Sequence, residues 1–227
     1  MIIAIGGRMG SGKNTLCDII QDLCKKNNGP DFEQKAFAGK LKQIGSILTG
    51  VPVEMFEDQE FKKQEMPEEW WYKNVYDAGW DKKWTKETIN YPTHTSTESH
   101  IVKTTYRQFL QNLGTEAIRD GLHTNVWVNA LFADYTPEWT TNEGKHDPLQ
   151  EFPNWIITDM RFPNEMEAVV KRNGITIRVV RPGTSIGTHP SETALDDAKF
   201  DYEIINDAGI PELIEKVRKI LIKEKLI

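Results

Sequence analysis

The chain has 227 residues, a net charge of −6, and 38% apolar against 27% charged residues, which places it among ordinary globular proteins and gives room for one sizeable α/β domain with a subdomain or lid. No basic stripe is visible, so a nucleic-acid polymer is not an expected partner, and an acidic protein that handles phosphates must gather its cations at a site. The apolar start, Met1 to Ile5, is too short for a secretory leader or a membrane span, so a cytoplasmic protein without membrane contact is expected.

The first element is the apolar run Ile2 to Ile5, cut off by Gly6-Gly7, as in a buried strand of a parallel sheet. Gly7-Arg8-Met9-Gly10-Ser11-Gly12-Lys13-Asn14-Thr15 follows and fits the pattern G-x-x-x-x-G-K between a strand and a helix. Glycines let the backbone turn its N–H groups inward, and the helix N-terminus adds partial positive charge, so the segment can cradle phosphates. Gly7, Arg8, Gly10, Ser11, Gly12, Lys13, Asn14 and Thr15 are therefore the candidate ATP-binding residues. Lys13 is placed to reach the β- and γ-phosphates and stay with the transferring group. Asn14 stands where the general motif has a magnesium-binding Ser or Thr, and Thr15 comes one later. The G-K-x-T ending resembles nucleoside monophosphate kinases of the adenylate kinase kind and argues against a GTPase; direct ligation of a metal by the chain stays open.

The helix after the loop is predicted from Lys13 to Lys26, with Leu16, Ile19, Ile20 and Leu23 as its apolar stripe and Asn28-Gly29-Pro30 as its stop. The two cysteines, Cys17 and Cys24, lie on it seven residues apart, about 10 Å of rise, which is too far for a disulfide. A second strand is predicted from Lys35 to Ala38 and a helix from Lys40 to Leu48. Between Val51 and Thr104 the periodicity breaks down, and this stretch holds Trp70, Trp71, Trp80 and Trp84. It is expected to be an insert, either covering a site or packing as an irregular subdomain, within a single domain that spans the chain.

A helix is predicted from Thr105 to Arg119. At the α-helical period Tyr106, Phe109, Leu110, Leu113 and Ala117 share the core face. Arg107, Gln111 and Gly114 share a second face, with Gln108, Thr115 and Arg119 beside them. That arc offers cations for a phosphate, amides and a hydroxyl for a base edge, and a glycine whose cost of about 1 kcal/mol would be repaid by the close approach of a ligand or backbone. The alternative is a solvated face with a packing glycine. A further helix is expected from Asn125 to Tyr135, and a loop from Thr136 to Pro153.

Trp155 to Asp159 is predicted to be a buried strand ending in a carboxylate, followed by a helix from Asn164 to Asn173 stopped by Gly174. Asp159 suits three roles: ordering Mg²⁺ or its waters, accepting a hydrogen bond from an acceptor, or capping a turn. Arg161 leaves the sheet at the end where α/β folds bind ligands and can span donor and acceptor phosphates, or pair with Glu165 on the next turn, or both. Arg178 and Arg181 are weaker candidates, and His189 has no metal-type spacing to the other histidines. Strands at Ile175 to Val180 and Tyr202 to Ile205 and a closing helix from Pro211 to Lys225 complete the order.

Thr105-Tyr106-Arg107-Gln108-Phe109-Leu110-Gln111-Asn112-Leu113-Gly114-Thr115-Glu116, then Arg119 and Trp127, resembles the signature of bacteriophage-type deoxynucleoside monophosphate kinases. Ile157-Thr158-Asp159-Met160-Arg161-Phe162-Pro163-Asn164-Glu165 resembles a second block of that family, and His189, Ser191 and Glu192 a weaker third. The resemblance leaves out the stretch from Val51 to Thr104. It implies ATP with Mg²⁺ as donor, a deoxynucleoside 5′-monophosphate as acceptor, and commonly a homodimer. It implies further that Arg107, Gln108, Gln111, Gly114, Thr115, Trp127 and Asp159 surround the acceptor, and that Arg161 and Glu165 serve the reaction zone together with Lys13. The beside-the-acceptor position of Trp127 leaves three roles open: a wall against a ribose 2′-hydroxyl, a stacking partner for the base, and plain core packing.

The expected fold is α/β, a P-loop kinase with a mainly parallel five-stranded sheet, helices on both faces, an inserted lid or substrate-binding subdomain, and, from the resemblance to nucleotide kinases, strand order 2-3-1-4-5. The expected reaction transfers the γ-phosphoryl group of ATP to the acceptor, giving the diphosphate and ADP. A P-loop kinase for another small acceptor, such as a nucleoside or dephospho-coenzyme A, and a non-catalytic nucleotide-binding switch are the rival readings.

Overall fold

In the computed structural model the described residues are 1–75, 99–137, 141–142, 145–146, 151–184 and 190–227. The chain divides into two compact units, Met1–Lys40 with Leu122–Ile227, and Leu41–Gly121.

The first unit is built on a five-stranded sheet of β1 (Ile2–Gly6), β2 (Glu33–Lys35), β7 (Trp155–Met160), β8 (Ile175–Val180) and β9 (Tyr202–Ile205). Its order is β2-β7-β1-β8-β9 and every pairing is parallel, with Ile2 opposite Trp155, Ile3 opposite Ile175 and Ile177 opposite Tyr202. Counted within this sheet the order is 2-3-1-4-5, as expected. β1 carries no charge because it sits centrally and is covered on both faces. Its side chains alternate: Ile3 and Ile5 join Leu16, Ile20 and Leu23 of α1 (Lys13–Lys26) and Leu213, Val217 and Leu221 of α7 (Ile210–Lys223) in one core layer. Ile2 and Ala4 join Val128, Leu131 and Phe132 of α4 (Val126–Phe132) and Val169 of α5 (Pro163–Val170) in the other. Each fully buried Ile or Leu in these layers contributes about 1.5–3 kcal/mol.

The α1 stripe recurs at i, i+3, i+4 and i+7, and the helix stops where Asn28 takes φ 55° and the Gly29 N–H bonds back to Cys24 O at 2.8 Å. Cys17 and Cys24 are free and buried, and burial pushes the Cys17 thiol up to about 12. One strand is displaced from its expected place. β2 ends at Lys35, and the apolar Ala36-Phe37-Ala38 that suggested a strand leaves the ladder, its N–H groups at Phe37 and Ala38 turning to a carboxylate instead. Between α4 and β7 lies a small hairpin, β5 (Thr141–Asn142) with β6 (Lys145–His146), where only loop was expected.

In the second unit, α2 (Gly39–Thr49), which begins two residues before it, leads into three 3₁₀ turns, Val53–Phe56, Phe61–Lys63 and Glu68–Trp70. β3 (Tyr72–Val75) then pairs antiparallel with β4 (Ser99–Val102). Phe56 and Met66 are buried here; Phe61 stacks on Tyr106 at 4.4 Å, and Trp70 meets Phe109 edge-on at 5.3 Å. The Trp71 indole N–H bonds to Met66 O at 2.8 Å. Trp70 and Trp71 are thus packing residues; Trp80 and Trp84 lie outside the described residues.

The predicted helix from Thr105 to Arg119 is two kinds of helix in succession: α3 (Tyr106–Gln111), then a π-helical segment, Asn112–Asp120. Hydrogen bonding to the fifth residue changes the period, so residues five apart share a face. Gly114 and Arg119 are accordingly both buried, and Ala117, expected in the core, is exposed.

Candidate active site

The loop between β1 and α1 is shaped by glycines at positive φ, Gly7, Gly10 and Gly12. Gly7 has φ 149°, and a Cβ there would lie 2.4 Å from the Val179 carbonyl oxygen. Gly12 has φ 101° and forms the N-cap of α1; a Cβ on it would lie 2.6 Å from the Asn206 amide nitrogen. No side chain other than hydrogen fits either conformation without strain. Asn206, just past β9, braces the loop by donating from Nδ2 to Ser11 O at 2.9 Å, while its own N–H bonds to Val180 O at 2.7 Å. The first turn of α1 holds no acid, so the positive end of the helix faces the loop uncompensated.

Lys13, the first residue of α1, turns back over the loop and donates to Gly7 O at 2.7 Å and Arg8 O at 2.8 Å. Burial, and next the nearby Arg161 guanidinium, pull its ammonium down to about 8, against the opposing pull of Glu192 and Asp159. Lys13, Arg161, Asp159 and Glu192 therefore form one electrostatic cluster. Arg8 pairs with Asp196 at 3.2 Å, and Arg181 donates to Gly10 O at 3.4 Å.

Arg161 sits where the chain leaves β7. Its guanidinium pairs with Glu192 at 2.7 Å, not with Glu165 on the next turn, the pairing raised as its alternative role. Glu165 is 2% exposed and accepts the backbone N–H groups of Arg161 at 2.7 Å and Phe162 at 3.1 Å. It is the third residue of α5, whose first is Pro163, and it satisfies donors that the helix start leaves open. Its action on Arg161 runs through the main chain. Asp159, half-buried, accepts Phe37 N–H on Oδ1 at 2.7 Å and Ala38 N–H on Oδ2 at 2.9 Å. The strand-end acid thus caps the turn at Phe37 and Ala38 and holds the segment after β2 against β7.

Trp127, in the first turn of α4, is 5% exposed. The remaining acceptor candidates lie in the second unit. Arg107 donates to Gln59 Oε1 at 2.9 Å. Gln108 is committed to a capping box with Thr105, accepting the Thr105 N–H at 3.0 Å. Gln111 and Thr115 are half-buried. The space beside Gly114 is taken by Leu41, whose Cδ2 lies 2.6 Å from where a Cβ would stand; this glycine admits a side chain of its own unit. Ser191 and Glu192 begin the segment described after residue 190, and His189 lies outside the described residues.

Asn206 and Asp196 escaped the sequence reading, and Glu192 entered it only through the weaker third block. Asn206 had a usable signal, a polar side chain closing an apolar strand, the same signal that marked Asp159. The pairings of Glu192 with Arg161 and of Asp196 with Arg8 had none, because they depend on how the chain between β8 and β9 folds back. Among the described residues no group of three His, Cys, Asp or Glu side chains could hold a metal ion, and no helix is long and apolar enough to cross a membrane.

Residues 55–217 match the family model of deoxynucleotide monophosphate kinases. A protein of Acanthamoeba polyphaga mimivirus, provisionally named for that activity, is 25% identical over 228 residues, 96% of this chain and 94% of its own length. The deoxynucleoside-5′-monophosphate kinase of Escherichia phage T5 is 24% identical over 91% of this chain and 89% of its own. The deoxynucleotide monophosphate kinase of Enterobacteria phage T4 is 32% identical over 116 residues, 51% of this chain and 44% of its own.

Proposed function

The chain belongs to the deoxynucleotide monophosphate kinase family, and from that premise we propose how its residues share the work. It transfers the γ-phosphoryl group of ATP to a deoxynucleoside 5′-monophosphate. A phosphate oxygen of the acceptor forms the new bond to the γ-phosphorus as the bond to the β-phosphate oxygen breaks and ADP leaves. The acceptor oxygen is already a nucleophile, so the chain has no strong base to supply; its contribution is positioning and charge neutralisation. The observation that carries this reading is the clustering of Lys13 and Arg161 at the glycine-shaped loop.

In this reading the loop N–H groups and the start of α1 hold the β- and γ-phosphates, and Lys13 moves from its two carbonyls onto the phosphoryl group. Arg161 bridges the donor and acceptor phosphates, with Glu165 fixing the backbone that carries it. Arg107, Gln111 and Thr115 bind the acceptor nucleotide. Asp159, through its grip on Phe37 and Ala38, keeps the edge of the sheet in place. Magnesium enters as the counter-ion of ATP. Asn14 is exposed and replaces the hydroxyl that usually holds the metal, and Asp159 already accepts two N–H groups. The donor set therefore fits a nucleotide-borne metal, coordinated by phosphates and water, rather than one the protein ligates.

Trp127 supports a preference for the deoxy sugar. A rigid indole at C2′ rejects a hydroxyl by clash and by leaving it unpaired, where an apolar pocket alone achieves about 10²-fold at best. The test is an ADP-release assay over deoxynucleoside monophosphates, the matching ribonucleotides, a nucleoside and dephospho-coenzyme A. Turnover is expected with the deoxynucleotides; turnover confined to either of the last two compounds would replace the acceptor, and ATP binding without any diphosphate product would make the protein a switch.

A further inference from the structure

Arg8 of the loop and Arg161 at the exit of β7 are each paired with a carboxylate of their own unit. Glu192 lies in the short helix α6 (Pro190–Thr193), between β8 and β9, with 14% of its side chain exposed. Its Oε1 accepts from Arg161 Nη1 at 2.7 Å and its Oε2 from the Met9 backbone N–H at 3.3 Å. Met9 belongs to the loop and Arg161 to the exit of β7, so one carboxylate joins two donors that suit a phosphate oxygen equally well. Asp196 pairs with Arg8 in the same way, but the two acids are held differently. Arg178, on β8, donates to the carbonyls of Asp196 at 3.0 Å and Ala198 at 2.8 Å and also to that of Leu195. The turn that carries Asp196 is thereby tied to the sheet. Glu192 lies before that clamp, and its side chain is held by the cradle itself.

We propose that Glu192 is an internal competitor of the nucleotide: its carboxylate fills the anion position between the Met9 N–H and the Arg161 guanidinium, and an incoming phosphate displaces it. The inference rests on the reading of Gly7 to Thr15 as a phosphate loop. A carboxylate and a phosphate oxygen cannot share these donors, since like charges at contact distance repel and each would form the same charge-assisted bonds. The disposition of Lys13 agrees, because its ammonium is turned onto Gly7 O and Arg8 O and the cradle is closed on itself. Apparent affinity for phosphate is then the intrinsic affinity scaled by the fraction of chains in which Glu192 is displaced. The same competition returns the carboxylate as ADP departs.

The test is calorimetric titration of the full chain with inorganic tripolyphosphate and with the β,γ-methylene analogue of ATP, comparing wild type, Glu192→Gln and Glu192→Asp. Glutamine keeps the shape and an acceptor for Met9 but removes the charge; aspartate keeps the charge but is too short to span both donors. Tripolyphosphate is expected to bind the glutamine variant on the order of three- to tenfold more tightly than wild type, the gain shrinking as salt rises. The aspartate variant should show a smaller gain. Unchanged or weaker binding by the glutamine variant, with or without a fall in kcat, would mean that Glu192 serves only to position Arg161, and would overturn the proposal. Should glutamine lower the melting temperature, the aspartate variant decides, and no gain there overturns it. If wild type binds neither probe, the phosphate-loop reading fails first and the competitor falls with it.

Discussion

Gly7 and Gly114 both leave room for something else, but what fills that room differs. At Gly7 the neighbour is the Val179 carbonyl oxygen, 2.4 Å from a Cβ, and φ is 149°. At Gly114 it is the tip of the Leu41 side chain, at 2.6 Å. Backbone cannot step aside without moving a strand, whereas a leucine tip can rotate. The loop after β1 is therefore a rigid arrangement of main chain over which one side chain, Lys13, turns back. The helix from Tyr106 to Asp120 is an arrangement of side chains on a scaffold that changes from α to π at Asn112. Errors in the first should be severe and categorical, and errors in the second graded.

The largest effect should come from removing the one side chain the loop depends on. Lys13→Ala is expected to lower turnover on the order of 10²- to 10³-fold, with a melting temperature close to wild type because the lysine is held by loop carbonyls and not by the core. Near wild-type turnover would end the claim that the loop works through Lys13. The charge itself can be followed by pH. The free-enzyme ammonium is pulled down to about 8, so kcat/KM for ATP should fall as pH rises through about 8 and the charge is lost. In the ATP-bound form the phosphates favour the proton, and the fall in kcat should begin at higher pH. A flat kcat/KM up to pH 10 would contradict the coupling.

Gly7→Ala tests the rigidity of the loop. Positive φ and a contact with backbone combine strain and overpacking, and a loss of about 3 kcal/mol is expected, read by denaturant midpoint. A loss below about 1 kcal/mol would show that the loop yields as the helix does. On the helix, Gln111→Leu removes an amide that can donate and accept at once. About a tenfold rise in acceptor KM is expected, with a changed ranking of bases and an unchanged KM for ATP. Unchanged acceptor KM and ranking would take Gln111 out of the acceptor site.

The smallest effect should be Gly114→Ala. Displacing the Leu41 tip costs about 1–3 kcal/mol, and alanine returns about 1 kcal/mol of helix propensity. A net loss of about 1 kcal/mol, roughly 2–4 °C in Tm for a chain of this size, is expected. A loss as large as that of Gly7→Ala would remove the distinction between the two regions.

The elements that were legible locally are those whose cause is local. β8 and β9 occupy the predicted residues, and α1 runs from Lys13 to Lys26 as its stripe and stop signal indicate. β2 was shifted because Ala36, Phe37 and Ala38 look like strand interior, while an edge strand with Glu33 and Gln34 outward carries little apolar signal. Ala117 was placed in the core because a wheel at the α period cannot register a change to i+5 bonding.

What the amino-acid sequence determined by itself is the strand–loop–helix that opens the chain, since glycine spacing, a lysine and a helix start are all the loop's backbone geometry requires. The apolar runs marked most of the strands, but their order in the sheet was implied only by the resemblance to nucleotide kinases. Only the tertiary structure decided which carboxylate meets which cation. Glu192 reaches Arg161 across 31 positions and Asp196 reaches Arg8 across 188. It likewise decided that Asp159 spends its oxygens on the main chain of Phe37 and Ala38, 122 and 121 positions away. Pairings at such separations are set by the path of the folded chain and leave no periodicity in the sequence, because each side chain bears the same local signal whether its partner is a neighbour, a distant residue or a phosphate.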